Sequence, residues 1–362
     1  MAIQLDSADT AGPSTEGPSA ACFQPAATLK AHTRAVTALR FSHDGTTLVS
    51  AGADGYVHFW NAANGEHKRS LRAHRMGIND MSLSPDGLYL ATASDDGTAL
   101  VFAMDPLAQS RPGPLRTLTG HTAPVLSVAF GPRANLLATG SYDESAIVWD
   151  LRRGKAIQTL PAHAEAIWTV GWDAEGALVL TGGADGLIRL WDVNTGQCLK
   201  TFDNESNSPV SSAAFTPSTF FIMSATLSST IRIYSLHNGK VLKTLQASEY
   251  VSEKYPCPAL VFAGQAAPQV NGHAEKDPNS MDVDDGALSA APAPARKTPR
   301  PAWVVAGSEN GKTIIWDLQE RRVLQVLEGH TSPVVALAVH PSGKSIATGS
   351  LEPEKSIKLW HT

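Results

Sequence analysis

The chain is written in short apolar runs broken by turn residues. Residues 166–202 show the pattern well: AIWTVGW, then DAEG, ALVLTGG, ADG, LIRLWDV, NTG and QCLKTF. Apolar positions within the runs are continuous or alternate, and Gly, Asp and Asn punctuate them, as in strands joined by tight turns. Asn64-Gly65 and Asn238-Gly239 are hairpin-turn pairs of the same kind. No segment sustains a helical period. The pattern predicts an all-β chain.

The runs keep a metre. His32, His74, His121 and His163 are each followed 22 residues later by Asp54, Asp96, Asp143 and Asp185. Four residues before each aspartate stands a hydroxyl (Ser50, Thr92, Thr139, Thr181), and six after it an aromatic (Trp60, Phe102, Trp149, Trp191). The aromatic column continues through Tyr234, Trp316 and Trp360, with gaps of 42, 47, 42, 43, 82 and 44. The gap of 82 is one period plus about forty inserted residues. Seven units of about 40–45 residues predict seven four-stranded blades of a β-propeller. A repeat of this kind uses a length that otherwise implies two domains as one closed body. The last unit has only three strands of its own. The stretch FQPAATL, residues 23–29, is in register to supply the fourth and leave no free edge.

The repeated polar residues have a structural explanation. A buried histidine needs a partner for each ring nitrogen, and a buried aspartate must be paired to offset its desolvation. Catalytic groups occur once per site, whereas these recur once per blade, so they read as framework. Unit five has Ser206 and Ser228 in the His and Asp columns, and unit six has Ala306 and Asn310 in the hydroxyl and Asp columns. Both units are expected to rely on packing. Unit seven has His330, Thr348 and Trp360, with two extra residues in its LEPEKS turn.

Composition narrows the function classes. The net charge is −5 and no unit is strongly basic, which argues against an electrostatic nucleic-acid binder. No apolar stretch approaches the roughly 18 residues of a membrane span. The first residues lack a basic start and an apolar core, so they do not read as a secretory signal. Cys22, Cys198 and Cys257 are far apart, as expected of a reducing compartment and of no metal cluster. Residues 1–22 are rich in Ser, Thr, Gly, Pro and Ala and are predicted to be a disordered tail, leaving 23–362 as the propeller. Residues 265–301 interrupt unit six and read as a disordered insertion between its first two strands. They carry an acidic cluster (Asp282, Asp284, Asp285), the basic stretch ARKTPR as an import-type patch, and Thr298-Pro299 as a candidate regulatory site.

The Gly/Ala-His, Asp and Trp-Asp units resemble WD repeats over about residues 24–362. GSYDESAIVWDLRRGKAIQTLPAH, SEKY, TGQCLKTF, SATLSSTIRIYSLHNGKVLKT and HPSGKSIATGSLEPEKSIKLW resemble, in order, the WD-repeat adaptor of COMPASS-type histone lysine-4 methyltransferase complexes. The resemblance implies a non-catalytic, cofactor-free nuclear scaffold. Its partners would be a SET-domain methyltransferase subunit, other core subunits and a histone tail. It implies two surfaces. One is a central pocket that takes an arginine, at Ala35, Thr37, Ala53, Gly77, Asn79, Asp95, Leu126, Tyr142, Trp168, Ser211, Leu227, Tyr255 and Pro258. The family clamps the guanidinium between two Phe rings, but here Leu126 and Pro258 stand in those places. Trp168 and Tyr142 are the candidates for a substitute aromatic wall. The bland reading of all these positions is an ordinary pore rim. The other surface is a groove between blades five and six on the opposite face, at Phe221, Ile233, Lys243 and Gln319. For Phe221 and Ile233 the alternative is core packing. The insertion is expected on this same face.

Two other classes compete. One is a WD-repeat scaffold of another pathway, such as splicing, microtubule-motor regulation or ubiquitin-ligase substrate binding. The other is an enzyme using the central channel, which needs convergent catalytic groups. The rim positions named above offer one carboxylate, Asp95, and no histidine.

Overall fold

The computed structural model describes residues 22–105, 113–204, 207–263 and 302–362. The insertion 265–301, residues 1–21 of the tail and Ser206 lie outside these.

The strands form seven separate four-stranded antiparallel sheets. Blade one is Val36–Phe41, Thr47–Gly52, Tyr56–Asn61 and His67–Arg72, in spatial as in chain order. Blades two to six repeat this plan. Their inner strands are Ile78–Leu83, Val125–Phe130, Ile167–Trp172, Val210–Phe215 and Ala259–Ala263. Blade seven has Val334–Val339, Ser345–Ser350 and Ile357–His361 from the C-terminal end, and Gln24–Leu29 as its outer strand. The predicted closure by the N-terminal segment is therefore borne out. Consecutive inner strands touch, and Val334–Val339 touches Val36–Phe41, so the ring is complete. The described residues contain no helix.

The core lies between blades rather than at the centre. Each of seven apolar clusters joins two neighbours, and together they fill all the junctions. A strand buried on both faces needs apolar residues on both, which is why the middle strands read as continuous runs. Phe23, just before the closing strand, is buried in the cluster between blades six and seven. Gln325 of blade six grips its backbone. The side-chain amide donates to the Phe23 carbonyl at 2.8 Å, and its oxygen accepts the Phe23 N–H at 2.9 Å.

The polar columns join as chains inside the blades. In blade one the Trp60 indole donates to Ser50 Oγ (2.9 Å), Ser50 meets His32 Nε2 (2.9 Å), and His32 Nδ1 meets Asp54 (3.1 Å). Blades three and four repeat this through Trp149–Thr139–His121–Asp143 and Trp191–Thr181–His163–Asp185. In blade two Phe102 has no N–H to give, and the chain begins at Thr92, running to His74 and Asp96. An indole can only donate, so the hydroxyl accepts from it and turns its own proton to Nε2. That leaves Nδ1–H for the carboxylate.

In blade seven the two extra turn residues change the acid. Glu354 takes the aspartate's place at 3.0 Å from His330 Nδ1, with Thr348 and Trp360 completing the chain. In blade six Tyr250 packs edge-on against Trp316, with ring centroids 5.5 Å apart. Ala306 offers no hydroxyl, and the buried Trp316 Nε1 and Tyr250 hydroxyl make no hydrogen bond among the described residues. Blade five leaves the buried Ser224 Oγ in the same condition. Both blades lack the His–hydroxyl–carboxylate chain, and blade five has in its stead a hydroxyl cluster in which Thr226, Ser228 and Thr230 lie 2.8–3.0 Å apart.

Burial holds the His74, His121, His163 and His330 rings below the ordinary imidazole pKa, against the pull of their carboxylates. Burial also opposes ionisation of Asp54, Asp143 and Glu354, but hydrogen bonds outweigh it and hold each at about 2. The donors include His32 and the Thr33 amide for Asp54, Ser145 and the Thr122 amide for Asp143, and Ser356 and the Thr331 amide for Glu354. Every one of these folded-state values is depressed. The folded chain therefore binds fewer protons in acid than the unfolded chain, and stability is lost as pH falls. Melting temperature is expected to fall from about pH 6.5 downward as the histidines enter their unfolded range, and more steeply below about pH 4. Melts that stay flat to about pH 4 would contradict these chains.

Candidate functional site

The inner strands surround a cavity of about 620 Å³ on the ring axis. Of the predicted pocket positions, Thr37, Asn79, Leu126, Tyr142, Trp168, Ser211, Tyr255 and Pro258 line it. Each lies at or near the start of an inner strand, or in a turn at that same end, so the fold brings residues from six blades together. Ala35, Ala53, Gly77, Asp95 and Leu227 are not in the lining. They stand in the adjoining turns, where Ala53 N–H donates to the Ala35 carbonyl (2.9 Å) and Leu227 N–H to Pro209 (3.0 Å).

Asp95 is tied to the cavity through Asn79, whose amide donates to Asp95 Oδ1 at 2.8 Å and to the Val125 carbonyl at 3.0 Å. Gly77 makes room for this carboxylate, since a Cβ there would stand 2.8 Å from Asp95 Oδ2. Tyr142 is 62% exposed and Tyr255 44% exposed, so both rings are presented to solvent. Thr37 is occupied, donating to the Ile78 carbonyl of the next blade at 2.7 Å. Ser211 Oγ donates to the Cys257 carbonyl at 3.2 Å, fixing the loop before blade six.

Glu309 holds that loop from below. One oxygen, Oε1, accepts the backbone N–H groups of Glu253, Lys254 and Tyr255 at 2.5, 2.5 and 2.9 Å. Its own N–H donates to the Val251 carbonyl. Burial works against its charge, but the three amides outweigh that and keep its pKa below the usual carboxylate value. Burial pushes the neighbouring Cys257 thiol up to about 12, so it stays protonated.

Sequence reasoning missed a second carboxylate. Asp80 lines the cavity below the rim, pairs with Arg40 of blade one (3.1 Å), and accepts from Ser127 Oγ and Val128 N–H of blade three (3.0 and 3.1 Å). It knits three inner strands across more than forty residues, a contact no repeat column reports. Its signal was a charge in an inner strand.

The opposite face holds the second set. Ile233 is buried in the cluster between blades five and six, and Phe221 is partly buried against it. Lys243 Nζ already donates to the Leu318 and Gln319 carbonyls at 2.7 and 3.3 Å, bridging the two blades. Phe220 beside them is 72% exposed. The strand ends that flank residues 264–301 are here: Ala263 and Ala302 are paired, and the Ala302 carbonyl accepts from Leu318 N–H.

Seven four-stranded blades around an axial cavity, five of them stitched by His–hydroxyl–carboxylate chains, define a WD-repeat propeller scaffold. More particularly, the chain belongs to the WDR5 beta-propeller domain family, whose model matches residues 28–361. It is similar to the COMPASS component SWD3 of Saccharomyces cerevisiae, with 30% identity over 68% of this chain and 72% of that protein. It is also similar to nuclear distribution protein PAC1 of Coccidioides posadasii, at 28% over 71% of this chain. Polyadenylation factor subunit 2 of Neurospora crassa is 44% identical over 36% of this chain. The chain spans 61% of the second relative and 19% of the third. No helix among the described residues is long and apolar enough to cross a membrane.

Proposed function

We propose that this protein is the WD-repeat adaptor of a COMPASS-type histone lysine-4 methyltransferase complex in the nucleus, working without catalysis of its own. The observation that carries this reading is the likeness to a COMPASS component across 72% of its length, within a family match that spans all seven blades. The cavity chemistry supports it. Tyr142, Trp168 and Tyr255 with Leu126 and Pro258 offer apolar and π surface to an arginine stem, and the Asp95 carboxylate lies beside Asn79. The ligand there is a short cationic segment of a catalytic subunit or a histone tail. With no Phe pair, the guanidinium is held against the aromatic wall. The groove on the other face, formed by Phe221, Lys243 and Gln319 over the buried Ile233, takes an apolar, acidic segment of a second core subunit, whose carboxylate meets Lys243 beside the Leu318 and Gln319 carbonyls it already serves.

The test is a tagged pull-down from native extract with mass spectrometry, comparing wild type with Asp95→Ala and Lys243→Glu. Wild type is expected to recover a SET-domain methyltransferase and its core subunits. Asp95→Ala should lose the cavity partner, and Lys243→Glu the groove partner. Recovery of splicing, motor, polyadenylation or ligase subunits instead keeps the fold and overturns the assignment.

A further inference from the structure

Blade one carries a histidine pair that its internal chain does not use. His58 is buried in the third strand, Tyr56–Asn61, and His67 opens the outer strand, His67–Arg72, exposed. The register sets His58 opposite Ser70 and Trp60 opposite His67, with a bulge between Phe59 and Trp60. A regular ladder would have placed Lys68 opposite Trp60. The extra residue puts His67 there instead, on the same face as His58 and Ser70.

Three donor atoms converge as a result. His58 Nδ1 lies 3.2 Å from His67 Nε2 and 2.8 Å from Ser70 Oγ, and Ser70 Oγ lies 3.0 Å from His67 Nε2. A neutral ring nitrogen either donates or accepts, so aimed protons serve two edges of this triangle and leave the third as a bare contact. A cation would use all three lone pairs at once. Ligand atoms about 2.0–2.2 Å from a metal ion stand about 3 Å apart when they subtend roughly a right angle.

We propose that His58, His67 and Ser70 form a binding site for a divalent transition-metal ion of the imidazole-seeking kind, namely zinc, nickel or copper(II), at the outer edge of blade one. The two imidazoles are its ligands, the hydroxyl is the third, and water reaches the remaining positions because His67 and Ser70 are exposed. Behind them, His32, Asp54 and His58 present ligand-type atoms within 4.8 Å of one another. Asp54 is committed to the blade's own chain, so it contributes a negative field beside the ion rather than a bond. The rings are already held: His67 lies edge-on to Trp60 at 5.0 Å, and Tyr56 stacks on His58 at 6.1 Å. The site is separate from the cavity and the groove, and does not depend on the adaptor reading.

The test uses untagged full-length protein stripped with chelator and titrated calorimetrically with zinc chloride and nickel chloride. Wild type is expected to take up one equivalent. His67→Ala, at an exposed ring, should fold normally and bind on the order of tenfold more weakly or worse, since even outer-sphere partners carry that much. His43→Ala, an exposed histidine elsewhere in the blade, should bind like wild type. Zinc should also raise the melting temperature of wild type and not of His67→Ala. Wild type that binds no better than His67→Ala, or binding abolished by His43→Ala, overturns the proposal.

Discussion

Deleting residues 1–29 is expected to leave a chain that no longer melts as one cooperative unit and that self-associates. The deleted strand, Gln24–Leu29, pairs with Ile357–His361 from Gln24↔His361 to Leu29↔Ile357. Phe23 and Leu29 go with it, and both are buried, at 2% and 5% exposure. Large-to-small loss of a buried Phe costs about 3–5 kcal/mol and of a Leu about 2–5 kcal/mol, against a typical domain stability of about 5–15 kcal/mol. The truncated ring also bares Ile357–His361 as an edge, which is a template for pairing with another chain. The milder variant Phe23→Ala should keep the fold and lower the melting temperature by several degrees, at about 2–4 °C per kcal/mol or less for a chain this large. Thermal melts and size-exclusion profiles at two concentrations check both. A deletion variant that melts with wild type as a sharp monomeric transition would show that the closing strand is dispensable.

Replacing Glu309 by alanine should weaken the cavity without touching it. Three amides lose one charged acceptor, and hydrogen bonds to charged groups contribute about 1.5–3 kcal/mol each when nothing replaces them. Water reaches this exposed loop and recovers most of that, so the expected stability loss is only about 1–3 kcal/mol. The larger effect falls on order. Tyr255 and Pro258 take their places at the cavity from this loop, and under the proposed adaptor function an arginine-bearing histone peptide is expected to bind about tenfold more weakly than to wild type, which is about 1.4 kcal/mol. Hydrogen exchange at 253–255 and fluorescence anisotropy with the peptide are the measurements. Glu309→Gln, which keeps an acceptor without the charge, should fall between. If exchange at 253–255 is unchanged in Glu309→Ala, the carboxylate is not what orders the loop.

The architecture was legible because it is periodic. Four histidine–aspartate pairs at one spacing fixed the blades, and the bond chains of blades one to four follow the sequence columns residue for residue. What the columns could not show are the substitutions of kind. Glu354 replaces an aspartate only because its turn is two residues longer and its side chain reaches across that gap. Tyr250, at no repeat spacing from Trp316, packs edge-on against it in a blade with no framework histidine. The candidate site divides the same way. Asn79, Leu126, Tyr142, Trp168, Tyr255 and Pro258 line one cavity, whereas Ala35, Ala53, Gly77, Asp95 and Leu227 stand outside its lining. Asp80 with Arg40, and His58 with His67, arise from contacts between blades and from a bulge, and neither leaves a mark on spacing.

The grip of Gln325 on Phe23 joins residues 302 positions apart. Thermodynamically that span is mild, because each doubling of a closed loop adds only about 0.6 kcal/mol. Kinetically it is severe. On the ribosome the first strand is made long before its partners, and must wait through the synthesis of six blades with Phe23 and Leu29 uncovered. Closure is therefore expected late in folding, because its partner strand Ile357–His361 is synthesised last. Until closure, Phe23, Leu29 and the Ile357–His361 edge lie uncovered together, so refolding yield is expected to fall as protein concentration rises.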